Sequence, residues 1–438
     1  MNILIVDAIG AALDFAIHCQ MAGHKVKWFI RKNDEGKVSQ IGDGYVTKVP
    51  DYKPWIEWAD LVFLTDNTHF LKELDSYRKK GYPIFGPSYL GGQLELDRQH
   101  GQDVLKDHGI KIISSETFSN YNKAEKYVTE NMKRYVSKPS GDADKALSYV
   151  SKSPADMVFM LRRWKELNKI KSPFILQEFV PGIEVAVGGW IGPNGFSQYF
   201  CENFEHKKLM NNELGPNTGE MGTAVAYRSK SKLADVLLKP LEQYLVDIGM
   251  TGYVDVAAIM DEEGELRPLE FTTRPGWPTF SIQSSLHEGD PAQWMVDLIE
   301  GRDTLECTDE IALGVVMAIP DFPYSHLTKK ELTGYPVYHT DKVDEKLLHF
   351  CEVMKGKAPA MDGDEIVEKD LPVSAGDYIL VATGLSDTVR KAKIIAYKNM
   401  KQIEMPNSAF YRTDIGDRLE EDLEDLQEHG YCLDWVFE

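Results

Sequence analysis

The residues best suited to chemistry lie in one stretch, Thr251 to Arg274. Two apolar, β-branched runs flank the acidic, glycine-containing Asp261 to Gly264, which is the pattern of a hairpin. With those four residues as the turn, Asp255 faces Glu270 directly, while Val254, Val256, Leu269 and Phe271 make the opposite face apolar. Facing carboxylates repel. A divalent cation between them relieves the repulsion, and magnesium favours a few carboxylates together with phosphates and water. Arg274, just past the second strand, carries a planar fork able to grip a phosphoryl or carboxylate group. The alternative for the same residues is an exposed acidic hairpin.

Three other stretches add parts. Lys138 ends a β-rich run and Lys145 follows a small-residue loop, so the two can clamp phosphates; read alone, the segment is a solvated surface loop first. Phe174 to Val187 reads as strand, tight turn, strand, with Glu178 and Glu184 at the rim, where backbone groups can read a flat base and a carboxylate can hold ribose hydroxyls. Glu205-His206-Lys207-Lys208 precedes Gly215 to Gly222, a glycine- and proline-rich run expected to be irregular. Such loops are often functional, and Asn217 and Thr218 supply polar groups there while Lys207 and Lys208 supply charge. Together these are the parts needed to hold a magnesium nucleotide between two layers, since phosphoryl transfer needs chiefly positioning and charge neutralisation.

Positioning them requires several packed units, and 438 residues at 43% hydrophobic content supply these. Ile3–Asp7, Val26–Ile30, Leu61–Thr65 and Pro83–Phe85 are strand-like and alternate with helical segments, which implies a parallel sheet. The turn after the first strand, Asp7 to Ala12, lacks the three spaced glycines of a dinucleotide site. Gln93–His108 reads as a helix and places a boundary near residue 105; a second shift follows Glu300-Gly301-Arg302. The expected organisation is an N-terminal α/β domain over 1–105, a central body over 106–302 with a lid over 111–177, and a C-terminal α/β domain over 303–438. Asp387–Met400 is its clearest helix, with Val389, Ala392, Ala396 and Met400 on one face.

A net charge of −20 disfavours nucleic acid and anionic membranes. Cys19, Cys201, Cys307, Cys351 and Cys432 are too scattered for a zinc or redox site, and no apolar stretch approaches the length of a membrane helix. The expectation is a cytoplasmic protein, a monomer or homodimer, acting on small molecules.

The motifs in this order resemble the ATP-grasp ligases, and specifically the glycinamide ribonucleotide synthetase (phosphoribosylamine–glycine ligase) family. Glu205-His206-Lys207-Lys208 stands where that family has Asp-His-Lys-Arg, and Gly215-Pro216-Asn217-Thr218-Gly219-Glu220-Met221-Gly222 where it has Gly-Pro-Asn-Thr-Gly-Gly-Met-Gly. Leu269-Glu270-Phe271 with Arg274 matches its Ile-Glu-Phe and following arginine. Ile84 to Pro87, Leu313 to Ala318, Gly334 to Pro336 and Tyr411 to Gly416 are further matches.

The resemblance implies a Rossmann-like first domain, an ATP-grasp body and a small C-terminal domain. The implied reaction activates glycine as an acyl phosphate for attack by phosphoribosylamine, with ATP and Mg²⁺ (or Mn²⁺), in purine biosynthesis. By position, Lys138 and Lys145 face ATP phosphates; Glu178, Phe179 and Val180 line the adenine hinge; Glu184 holds the ribose. Glu270, with Asp255 and Thr272, binds the metal. Arg274 steadies the acyl phosphate, and Asn217, Thr218, Gly219 and Lys207 sit by the amine.

Departures are local. The family's opening Gly-Gly-Arg-Glu-His turn is Ile9 to Leu13 here, and its later Gly-Pro-Glu is Thr65-Asp66-Asn67. Its asparagine after the metal glutamate is Thr272, and Trp277 replaces an acid. These point to a second reading, an ATP-grasp ligase joining a different carboxylate or amine. A third, of another class, is an inactive nucleotide-binding scaffold.

Overall fold

The computed structural model describes residues 1–33, 35–139, 148–168, 173–324, 329–406 and 408–438. Strands β1 (Asn2–Asp7), β2 (Lys25–Ile30), β3 (Thr47–Lys48), β4 (Leu61–Leu64) and β5 (Ile84–Phe85) form a parallel sheet in the order β3-β2-β1-β4-β5. Ile3 to Asp7 and all of β4 are buried, because crossover segments cover both faces of a parallel sheet. Helix α1 (Leu13–Met21) joins β1 to β2, and α2 (Leu71–Arg78) joins β4 to β5. The connection order reverses between β1 and β4, which opens a crevice at the carboxyl ends of those strands.

The expected helix over 93–108 is two helices, α3 (Tyr89–Leu96) and α4 (Arg98–Asp107), broken at Asp97. Asp97 caps α4 by accepting from the His100 amide at 3.1 Å. The boundary near residue 105 therefore falls inside α4. Beyond it, β6 (Ser115–Phe118), β7 (Tyr135–Pro139), β8 (Tyr149–Val150) and β9 (Phe174–Glu178) form a separate sheet in the order β6-β9-β7-β8. Its own small core, including Val128, Met157, Leu161, Trp164 and Leu176, packs two helices against one face.

The largest sheet has eight strands: β10 (Ile183–Gly192), β11 (Gly195–Glu205), β14 (Gly222–Arg228), β15 (Gly252–Met260), β16 (Leu266–Thr272), β19 (Ile311–Ala318), β20 (Leu348–Phe350) and β23 (Tyr378–Ser386). Its order is β16-β15-β10-β11-β14-β19-β23-β20. The remaining strands pair locally: β12 (Lys208–Met210) with β13 (Leu214–Asn217), β17 (His287–Glu288) with β18 (Glu306–Cys307), and β21 (Val353–Asp362) with β22 (Glu365–Ser374). The boundary after Arg302 divides the chain but not this sheet: β14 bonds to β19, with Thr223 opposite Gly314. One apolar core runs from Ile3 to Trp435. The helix expected over Asp387–Met400 spans Val389–Met400 with the expected buried face, and a further helix, Leu419–Glu428, follows it.

A polar node ties the first helix to this sheet. Asp14 Oδ2 on α1 lies 2.9 Å from His349 Nδ1 on β20, whose Nε2 lies 2.9 Å from Ser285 Oγ. His18 Nδ1 is 3.5 Å from Asp14 Oδ1, and that carboxylate pushes the His18 imidazole up to about 9. All five cysteines are free. Among the described residues, no helix is long and apolar enough to cross a membrane.

Candidate active site

Strands β15 and β16 hold the central carboxylates, in a register that differs from the expected one. The turn is one residue longer, with the Asp261 amide donating to Glu265 O at 3.0 Å and Met260 opposite Leu266. A bulge between Ala257 and Ala258, at Pro268 and Leu269 on β16, shifts the pairing by one more. Asp255 therefore faces Thr272, and Glu270 faces Ala257. Two one-residue shifts restore the parity, so Asp255, Glu270 and Thr272 still share a face, offset by one pair instead of directly opposed. Val254, Val256 and Phe271 are buried on the other face.

The charges around that face are arranged asymmetrically. Burial, with the Glu205 carboxylate adding to it, pushes Asp255 up to about 7. Its donors are Asn203 Nδ2 at 2.9 Å and Tyr253 OH at 3.3 Å, both to Oδ2. Burial also works against ionisation of Glu270, but the cations of Arg98, Lys138 and Lys207 outweigh it and hold this carboxyl well below the usual range. Arg98 makes a direct ion pair with Glu270. Lys207 Nζ lies 2.7 Å from Glu184 and 3.2 Å from Glu205. Burial alone would lower Lys207; the two glutamates reverse this and keep it charged, so it is a fixed cation. Lys138 reaches the same strand, its Nζ 3.4 Å from Leu269 O, and burial lowers it to about 8. Hard oxygen donors on one face, with an under-bonded Asp255, fit a magnesium ion.

Of the expected residues, Asp255, Glu270, Thr272, Arg274, Lys207 and Gly219 line one cavity, joined by Trp277. Glu184 connects to it through Lys207. Lys145 lies outside the described residues. Glu178 ends β9 and pairs with Lys133 at 2.9 Å, while the Arg134 guanidinium stacks 3.4 Å over the Phe179 ring. The Phe179 amide donates to Arg134 O, whereas that of Val180 makes no hydrogen bond among the described residues, leaving it available to a base edge. Gly182 turns the chain here at φ 148°, where a Cβ would lie 2.0 Å from Met260 O.

The expectation that Gly215 to Gly222 is irregular holds only in part. Leu214–Asn217 is strand β13, bonded to β12 with Lys208 opposite Asn217. Pro216 is tolerated because the ribbon has only two strands and leaves edges free. Thr218 then turns the chain, its amide and hydroxyl both donating to Lys207 O at 2.8 and 2.9 Å, which brings Gly219 to the cavity. Asn217 Nδ2 lies 3.4 Å from Ser148 O, just before β8.

Arg98 and Glu95 were not singled out by sequence reading, yet both line the cavity. Glu95 accepts from the Thr273 amide at 2.8 Å, Asn67 Nδ2 at 2.6 Å and Arg274 Nη2 at 3.3 Å, which fixes the arginine fork. Arg98 carried one signal: it is the first residue of α4, where the positive end of the helix dipole disfavours a cation.

Residues 96–253 match the family model described as phosphoribosylglycinamide synthetase, ATP-grasp (A) domain. The phosphoribosylamine–glycine ligase of Ralstonia nicotianae is 27% identical over 363 residues, 79% of this chain and 81% of that protein. Its counterpart from Halalkalibacterium halodurans is 23% identical over 95% of this chain and 97% of its own length. The crystal structure of phosphoribosylamine–glycine ligase from Thermotoga maritima superposes with a TM-score of 0.70 at 18% identity, covering 95% of this chain and all of that one. The resemblance carried by the motifs is thereby borne out, and the fold is the mixed α/β architecture of the ATP-grasp enzymes.

Proposed function

We propose that this chain, similar along its length to phosphoribosylamine–glycine ligases and built on their ATP-grasp fold, is an ATP-dependent carbon–nitrogen ligase of that type. A carboxylate oxygen attacks the γ-phosphorus and ADP leaves; an amine nitrogen then attacks the acyl carbon, phosphate leaves and the nitrogen loses a proton. Glycine and 5-phosphoribosylamine, the pair in the relatives' name, are the substrates this reading assigns, which places the step in purine synthesis. The observation that carries it is the single cavity in which Arg274, Lys207 and Arg98 face Glu270, Asp255 and Thr272.

In this reading Asp255, Glu270 and Thr272 hold Mg²⁺, which when bound neutralises phosphate charge. Lys138 and Lys145 steady the phosphates, Glu178, Phe179 and Val180 receive the adenine, and Glu184 receives the ribose. Arg274, oriented by Glu95, braces the acyl phosphate. Lys207, permanently charged, stabilises developing anion and does not take the amine's proton. Asn217, Thr218 and Gly219 border the amine side. The protein acts as a cytoplasmic monomer or homodimer. ADP release with purified protein, ATP, Mg²⁺, glycine and phosphoribosylamine tests the reading: turnover requiring all four is expected, and ATP binding without turnover across a panel of amino acids and amines would replace it with a nucleotide-binding role.

A further inference from the structure

The crevice at the carboxyl ends of β1 and β4 adjoins the reaction centre. Asn67, shortly after β4, donates Nδ2 to Glu95 Oε2 at 2.6 Å and to Thr273 Oγ1 at 3.2 Å, and Glu95 Oε1 accepts from Arg274 at 3.3 Å. In an open parallel sheet an anion in this crevice sits on the free amides of the first strand-to-helix loop. Here three of those amides are taken by a carboxylate of the chain itself. Asp7 Oδ1 accepts from the amides of Ile9 at 3.0 Å and Gly10 at 2.9 Å; Oδ2 accepts from the Ala12 amide at 3.0 Å and Trp28 Nε1 at 3.2 Å. Gly10 makes the turn possible at φ 89°. Asp7 is fully buried, and residues 8–13 contain no basic side chain. The chain thus keeps its own carboxylate where a ligand phosphate would rest.

The neighbouring strand end adds a second acid. Asp66 is 8% exposed, and its Oδ1 accepts from the amides of Thr68 at 2.7 Å and His69 at 3.0 Å. Its Oδ2 is buried with no hydrogen-bond partner. A buried, unpaired carboxylate oxygen costs free energy until a donor reaches it.

We infer that this crevice holds the amine substrate through hydroxyl and amino donors and withholds from a phosphate on that substrate the loop amides that Asp7 occupies, so that amines are accepted with or without one. The inference rests on the ligase reading above and specifies its amine.

The test is steady-state ADP release by the full chain with glycine and either phosphoribosylamine, formed from ribose 5-phosphate and ammonia, or ribosylamine, formed from ribose and ammonia. The expected kcat/KM values lie within about tenfold of each other; a pair of charge-assisted hydrogen bonds to phosphate would separate them by on the order of a hundredfold or more. A larger preference for the phosphorylated amine overturns the inference and leaves the ligase reading standing. Turnover with neither, across a panel of amino acids, overturns both. Asp66→Asn is expected to raise KM for ribosylamine about tenfold while leaving KM for ATP unchanged, and an unchanged amine KM in that folded variant removes the donor contact. Should the variant fail to fold, the comparison of the two amines on the unaltered protein still decides.

Discussion

Asp7 on β1 and Asp255 on β15 are both buried carboxylates on strands, and their surroundings treat them in opposite ways. Asp7 receives four donors within 3.2 Å, three of them amides of its own loop. Asp255 receives two, both on one oxygen, and stands near a second acid, Glu205. A carboxylate whose lone pairs are filled by the fold is a strut. One left short of donors beside a like charge is stored repulsion, tolerated because a cation or ligand later removes it. Burial alone does not distinguish the two; the donor count does.

Breaking the comparison begins with the strongest ligand-facing acid. Glu270→Gln is expected to lower turnover about a thousandfold or more, with a lowered melting temperature in a chain that still folds because Arg98, Lys138 and Lys207 lose their counter-charge, read by coupled ADP assay and calorimetry. Near-normal activity would move the metal site elsewhere. Asp255→Asn is expected to cost about a hundredfold in kcat while leaving stability level or slightly raised, because the substitution removes a carboxylate disfavoured first by burial and then by Glu205. Asp7→Asn should behave in reverse: a loss of roughly 2 kcal/mol in urea titration, since an amide nitrogen would confront backbone donors, with activity per folded molecule within about threefold. Equal stability losses in the two variants would erase the distinction.

Two smaller effects sharpen it through pH. Lys138, lowered to about 8, is charged below that value and loses its proton above it. KM for ATP should therefore climb several-fold between pH 7.5 and 9.5, and Lys138→Arg should flatten the climb. His18 is raised above its unfolded value by Asp14. Its stabilisation is complete below about pH 6.5 and is lost as pH rises through about 9, a change on the order of 3 kcal/mol. His18→Gln should remove that slope from the stability profile and leave activity alone.

Much of the site was legible because its residues are spaced along single strands and loops. Glu270 with Thr272 and Arg274, and Lys207 with the loop after it, can be read without knowing what packs against them. The hairpin register could not be read: a turn one residue longer and a bulge at Pro268 each moved the pairing by one, and the shared face survived because the two shifts add to a strand period. Arg98 and Glu95 escaped because their partners lie 172 and 178 residues away. The irregular loop became in part a ribbon because a two-stranded pair leaves room for proline. The expected boundary after Arg302 follows a local change in composition, whereas strand pairing ignores it.

That shared sheet has a consequence for assembly. The strand carrying Asp255 is joined through β10, β11 and β14 to β19 and β23, and β23 ends at Ser386. On a ribosome, the hairpin that holds the charged face is made about 110 residues before the last large strand that completes its scaffold. Until β19 is made, about 40 residues after the hairpin, β14 presents a bare, mostly apolar edge, Gly222–Arg228, and β19 then presents the open edge until β23 pairs with it. Such an edge invites pairing with other chains, so the nascent protein is most exposed to aggregation in the interval between its chemistry being encoded and its framework being closed.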